Sequence, residues 1–363
     1  MTDWKNPPKL FIPGPVHVVP EVYEQLSRYT LGHRAKEYSV LHGETVDMLK
    51  TVLSTEQNVF LVTSSGSGGW EASMRSLVKD DEKVLCCGCG AFSDKFSSVA
   101  KACGKQVEDF KIDWGKAFTA EIIDQKLSEG NYAAVTFVYN ETSTGVTNPV
   151  YEISEMLKAK YPDVLVFVDC VSAMSGLPLE FDKLGWDMAF ASVQKAFAIP
   201  PGLAIFAVSN RAMEKCPQVP NRGYYFDLMQ YAKTAEKNQT PTTPAIPQIM
   251  ALNFQCKKLV EEGMDNVCAR HKAMAEYVRG WAKENFGLFA EEEKYASNTL
   301  TTVKNTRGID VATVINAIKD KYNIAFGNGY GKLKQETFRI AHMGDINMDD
   351  LKELLGYIND EIK

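Results

Sequence analysis

Seven short apolar runs mark the first 210 residues: NVFLVTS (Asn58–Ser64), KVLCCG (Lys83–Gly88), QVEDFKI (Gln106–Ile112), AAVTFVY (Ala133–Tyr139), DVLVFVD (Asp163–Asp169), DMAFAS (Asp187–Ser192) and LAIFAVS (Leu203–Ser209). Helix-length amphipathic stretches lie between several of them, at Gly69–Val78, Phe92–Ala102 and Ile153–Lys160. Runs too apolar to alternate read as strands covered on both faces. Such strands separated by helices predict a mostly parallel, doubly wound α/β sheet.

Beyond Asn253 the pattern changes. A long helical periodicity runs to about Phe286, followed by a strand NTLTTVKN, a helix over Val311–Lys321, the segment YNIAFGNGYG, a short alternating strand containing Arg339, and a closing helix Met348–Ile362. These elements predict a small second α/β unit. The expected division is an N-terminal segment 1–18 packing with the small domain, a large domain 19–253 and a C-terminal domain 254–363. A chain of 363 residues and 40.4 kDa exceeds the usual span of one hydrophobic core, in keeping with two domains.

Charge narrows the function classes. A net charge of −6 and a pI near 5.6 argue against a general nucleic-acid binder. No apolar run reaches membrane-span length, and the opening MTDWKNPPKLFIPGP lacks the basic head and apolar body of a signal peptide, so a cytoplasmic protein is expected. Eight cysteines in such a chain read as reduced thiols. Cys86, Cys87 and Cys89 in KVLCCGCGAF lack C-x-x-C spacing and a second ligand pair, so they read as small hydrophobes at a strand end. No metal is expected.

Candidate chemistry gathers after the strands, where open α/β sheets bind their ligands. SSGSGGWEAS follows the first run; its Ser65, Gly66 and Ser67 either cradle an anion at a helix N-terminus or form an ordinary β–α turn. Asp169 ends a fully apolar run, where it either pairs with a cation or caps a helix. Lys195 is the only charge between Met188 and Asn210. It either snorkels to water or is wanted inside as an uncharged nitrogen. Phosphate cradle, carboxylate and lysine together suit pyridoxal 5′-phosphate, whose aldehyde forms a Schiff base with lysine and whose ring nitrogen needs an acidic partner.

The chain resembles the class V aminotransferases of fold type I, in particular the alanine–glyoxylate, serine–pyruvate and serine–glyoxylate branch. The resemblance rests on FIPGPVHVVPEV, SSGSGGWEA, CGAFSDKF, YNETSTGVTNPV, VFVDCVSAMSG, ASVQKAFAIPPGLA and FRIAHMGD, which follow the family order over nearly the whole chain. It implies that Lys195 holds the cofactor and shuttles a proton, that Asp169 pairs with the ring nitrogen, and that Phe92 lies on the ring face. Thr142 and Gln194 would bond around the ring, while Ser65, Gly66, Ser67 and Ser192 hold the phosphate. Thr243 would reach the phosphate of a neighbouring subunit, implying a homodimer, and Arg339 would clamp the substrate α-carboxylate. From the residues alone, Phe92 also reads as core, Ser192 as a cap or turn, and Arg339 as a solvated strand residue.

The implied activity is transfer of an amino group from alanine or serine to glyoxylate or pyruvate, by a ping-pong mechanism through a Schiff base on Lys195. His33 and Arg34, in GHRAKEY, either bind an anionic side chain, as for a phosphoserine or aspartate aminotransferase, or only shape the entrance and dimer contact. A non-catalytic subunit on the same fold is a further alternative. Tyr139, Ser93, Lys95 and Trp70 depart from the family pattern.

Overall fold

In the computed structural model, residues 6–363 are described, and residues 1–5 of the expected N-terminal segment lie outside them. Strand β1 (Lys9–Phe11) precedes the large sheet, which is built from β2 (Asn58–Val62), β3 (Lys83–Gly88), β4 (Gln106–Lys111), β5 (Ala134–Val138), β6 (Leu165–Asp169), β7 (Met188–Ser192) and β8 (Ala204–Val208). The order across it is β2-β8-β7-β6-β5-β3-β4. The run from β4 to β7 is parallel, and β8 enters antiparallel between β7 and β2.

Six of the seven runs became strands covered on both faces, while the seventh, β4, is the partly exposed edge strand. Alternate residues of β7 divide between two cores: Ala189 and Ala191 face one helical layer, Met188 and Phe190 the other. Burying a side chain such as Phe190 contributes roughly 1.5–3 kcal/mol. The same alternation sends Cys87 and Cys89 into one core and Cys86 into the other, so the three thiols have no common ligand position.

A five-stranded sheet forms the second unit, in the order β1-β11-β12-β10-β9, from β9 (Gly287–Leu288), β10 (Leu300–Lys304), β11 (Ile324–Asn328) and β12 (Thr337–Ala341). β1 pairs parallel with β11, Lys9 to Phe11 opposite Ile324 to Phe326. Phe11 is buried with Trp281, Phe338, Ile340 and Leu354 in a core of its own.

The single long helix expected from Asn253 is two helices, Ile246–Glu262 and Met264–Asn285, divided at Gly263 with φ +80°. A boundary at 253/254 thus falls inside a helix whose apolar face stays in the large core as far as Leu259. Among the described residues, no helix is long and apolar enough to cross a membrane.

Candidate active site

The carboxyl ends of the parallel strands open onto one cavity of about 210 Å³. Nine of the residues expected to hold cofactor line it: Ser65, Gly66, Ser67, Phe92, Thr142, Asp169, Ser192, Gln194 and Lys195. Sheet register explains the convergence. Asp169 stands opposite Val138 of β5 and Phe190 of β7, so these strands deliver their exits to one level.

Lys195 follows β7 and is only 8% exposed. Its Nζ donates to the carbonyl of Pro13. Gly14 backs onto the lysine: a Cβ there would stand 2.7 Å from Cδ, Cε and Nζ, and the residue has φ +117°, so both space and backbone call for glycine. Burial, aided by the Arg339 guanidinium, lowers the amine to about 8 against the opposing pull of Asp169 and Glu141. The amine is therefore far easier to deprotonate than an exposed lysine, with about a tenth of it neutral at pH 7.

Asp169, 3% exposed, accepts from Trp70 Nε1 at 2.8 Å and from the Val171 amide at 2.8 Å. Burial raises its carboxyl to about 6, while these two donors hold it down. The carboxylate is thus ionised at neutral pH and poised to meet a cation. The Ser192 hydroxyl and Gln194 Oε1 are buried without a partner among the described residues. Such orphans are costly unless a ligand completes them. With the helix Ser67–Leu77 directing its N-terminus at the same cavity, the set fits an anionic, hydrogen-bonding cofactor. Gly66 keeps that turn tight, since a Cβ would meet Val171 Cγ2 at 2.5 Å.

Phe92 sits in the first turn of the helix Ala91–Ala102. Glu141, fully buried, accepts from the amides of Phe92 (3.3 Å) and Ser93 (3.0 Å) and from the hydroxyls of Ser93 (3.1 Å) and Ser143 (2.6 Å). A carboxylate at a helix N-terminus satisfies donors the helix leaves free. Thr142 Oγ1 lies 2.6 Å from Ser172 Oγ.

Arg339, on β12, donates to the carbonyls of Asn328 (3.0 Å) and Thr142 (3.3 Å), and so bridges the small sheet to the cavity rim. Burial lowers its guanidinium to about 10, still fully charged at neutrality. The Tyr330 ring lies 5.2 Å from Phe92 and 5.4 Å from the Arg339 guanidinium, and its hydroxyl accepts from Lys95 Nζ at 2.6 Å.

Arg339 reaches only the rim, and His33, Arg34 and Thr243, like Arg339, do not line the cavity. Arg34 donates to the carbonyls of Thr240 (2.8 Å) and Pro241 (3.3 Å), and Thr243 is exposed two residues further on. The sequence placed the turn GNGYG, with Tyr330, beside the site, but gave no role to Tyr330, Trp70 or Glu141. Trp70 carried a signal as a departure in the glycine-rich turn; Glu141 lay in a quoted motif without a role.

A doubly wound sheet with a buried lysine, a buried carboxylate and an anion-ready turn at its strand ends defines an α/β enzyme of the kind that binds a phosphorylated aldehyde cofactor. Residues 13–331 match the family Aminotransferase class-V. An uncharacterized aminotransferase of Methanocaldococcus jannaschii is 37% identical over 92% of this chain and 87% of its own. The L-aspartate–glyoxylate aminotransferase of Paracoccus denitrificans is 31% identical over 94% of this chain and 87% of its own. The crystal structure of alanine–glyoxylate aminotransferase from Nostoc sp. superposes with a TM-score of 0.93 at 26% identity, covering 98% of this chain and 96% of that one. The chain belongs to the class V aminotransferases. It is a PLP-dependent transaminase with the fold type I architecture.

Proposed function

We propose that the cavity holds pyridoxal 5′-phosphate and that the enzyme moves an amino group from a small L-amino acid to a short 2-oxo acid, glyoxylate or pyruvate, in two half-reactions. The observation that carries this is Lys195, a buried amine lowered to about 8 inside a cavity whose other polar groups include a buried carboxylate and two orphaned side chains. Glyoxylate as acceptor is supported by the names of the Paracoccus and Nostoc proteins.

When bound, the cofactor supplies an aldehyde for amines and a ring that accepts electrons. Lys195 would hold the cofactor through its amine and, once the donor's amine displaces it, would be the free base positioned to move the donor α-proton. Asp169, fixed by Trp70 and the Val171 amide, would be the carboxylate that keeps a ring nitrogen protonated. Ser65, Gly66, Ser67, Ser192 and Gln194 receive the phosphate, with the helix N-terminus behind them. Phe92 would supply an aromatic wall for a planar ring, and Thr142 and Gln194 would supply hydrogen bonds to it. Arg339 takes the substrate α-carboxylate as a planar, bidentate donor.

Thr243 acts in the site of a second copy, so the enzyme is a homodimer. Arg34 supports that role by fastening the Thr240–Pro241 segment, and with His33 it frames the entrance. Alanine and serine are the leading donors from the sequence. A donor with an acidic side chain, as in aspartate or phosphoserine, is favoured by an uncompensated cation beside Arg339.

The test is the absorbance of purified wild type and Lys195→Ala, before and after single amino acids are added. Wild type should show a cofactor band that one donor bleaches, and Lys195→Ala should lack that response. No band after reconstitution sinks the proposal.

A further inference from the structure

Lys195 and the buried Asp169 line the cavity; Arg339 reaches its rim at the Thr142 carbonyl, the exposed Lys95 lies on the outer side of Phe92, and the buried Glu141 sits beneath that helix turn. The carboxylates are already satisfied. Asp169 is bonded on both oxygens, and Glu141 is spent on amides and hydroxyls around Phe92. Neither Arg339 nor Lys95 forms an ion pair among the described residues. Arg339 has backbone carbonyls, and Lys95 has the Tyr330 hydroxyl.

Both cations flank the same ring. Lys95 Nζ lies 5.0 Å and the Arg339 guanidinium carbon 5.4 Å from the Tyr330 centroid, and Lys95 is also 5.1 Å from Phe92, which walls the cavity. A phenol that accepts from an ammonium still has its own O–H to give. Once Arg339 engages the α-carboxylate, Lys95, an exposed ammonium that donates to the Tyr330 hydroxyl, and that hydroxyl's own O–H stand beside it facing solvent, with no anion paired to them among the described residues. A donor with an uncharged side chain leaves them so; an acidic side chain completes them.

We infer that Lys95 and Tyr330 form a receiving position for an anionic side chain on the amino donor, so that the preferred donors carry a second acidic group. This rests on the transamination proposed above and narrows its donor. It also moves the anionic-side-chain position away from Arg34, whose guanidinium is engaged by its own chain.

The experiment uses cofactor-loaded enzyme with glyoxylate as acceptor and L-aspartate, L-glutamate, O-phospho-L-serine or L-alanine as donor. Wild type should use at least one acidic donor with higher kcat/KM than alanine; which one wins separates carboxylate from phosphate. In Lys95→Met the acidic-to-alanine ratio should fall about 10- to 100-fold, the scale of losing a hydrogen bond to a charged group. Tyr330→Phe should lower it less, and Lys95→Arg should largely restore it. Succinate, an unreactive dicarboxylate, should bind Lys95→Met more weakly by a similar factor in calorimetry, with Tm unchanged. Alanine outrunning every acidic donor, or a ratio and succinate affinity indifferent to Lys95→Met, overturns the inference while leaving transamination standing. No response to any donor, alanine included, overturns both.

Discussion

The indole Nε1 of Trp70 donates to Oδ2 of Asp169 at 2.8 Å, across 99 residues of sequence and wholly within the protein. The bond favours the ionised carboxylate, in opposition to the burial that raises it to about 6. Trp70→Phe removes the donor and keeps most of the ring. The Asp169 carboxyl should then titrate at a higher pH, and cofactor affinity should weaken about 10-fold, the low end for a bond to a charged group. Its acid-side loss should begin nearer neutrality. Fluorescence titration with cofactor from pH 5.5 to 8 measures this, and a superimposable pH dependence would count against it.

Gly14→Ala places a methyl 2.7 Å from the end of Lys195 on a residue with φ +117°. Backbone strain of this kind costs about 1–3 kcal/mol. Denaturant unfolding should register that loss, and cofactor loading should fall as the amine is displaced. An unchanged midpoint with full loading would mean that the segment yields freely.

Glu141→Gln keeps the shape of a buried carboxylate and turns one acceptor into a donor facing amides and hydroxyls. Leaving such groups unpaired should cost about 1–3 kcal/mol of stability. Because the lost bonds hold the first turn bearing Phe92, cofactor affinity should drop with it. A stable variant whose affinity is normal would deny Glu141 any positioning part.

Acid should destabilise the protein through its buried imidazoles. Burial lowers His42 and His271 to about 4 and His342 to about 3, from an ordinary 6.5. His271 bonds the Val267 carbonyl through Nδ1 and receives the Gly344 amide at Nε2, an arrangement only the neutral ring satisfies. As pH falls from 6.5 the unfolded chain takes up protons that these rings refuse, so their contribution is present above 6.5 and lost on the way down to about 4. Asp169 works in the opposite sense, since its carboxyl is raised from 3.8 to about 6 and its proton favours the folded state as pH falls through that window. Three histidines outweigh one aspartate, at up to about 1.4 kcal/mol per unit for each group. The urea midpoint should therefore be lower at pH 5 than at pH 7, with a shallower slope in His342→Gln. Equal slopes in the two proteins would remove His342 from the account.

The legible parts of this molecule are those where burial leaves a one-dimensional trace. Strands covered on both faces appear as apolar runs, and a single charge inside such a run, Asp169 or Lys195, stands out without any partner in view. The antiparallel course of β8 left no trace, because a strand buried on both sides has the same composition in either direction. The break at Gly263 was hidden for a related reason: the helical period continues through it. Tyr330 and Lys95 meet across 235 residues, and neither has local neighbours that announce the other. Thr243, proposed to act in a second copy, lies outside the cavity of its own chain.

The N-terminal strand gives the two halves of the enzyme a common mechanical part. Lys9–Phe11 is the edge of the sheet that also carries Arg339, and within a few residues the same stretch of backbone offers the Pro13 carbonyl to Lys195 and the Val16 amide to the Gln194 carbonyl. The arginine proposed to grip the substrate and the carbonyl that steadies the reactive amine therefore travel together. Only Ile12 stands between the strand that edges the arginine's sheet and the residue whose carbonyl Lys195 meets, so the two halves of the site share one short run of backbone, Lys9 to Pro13.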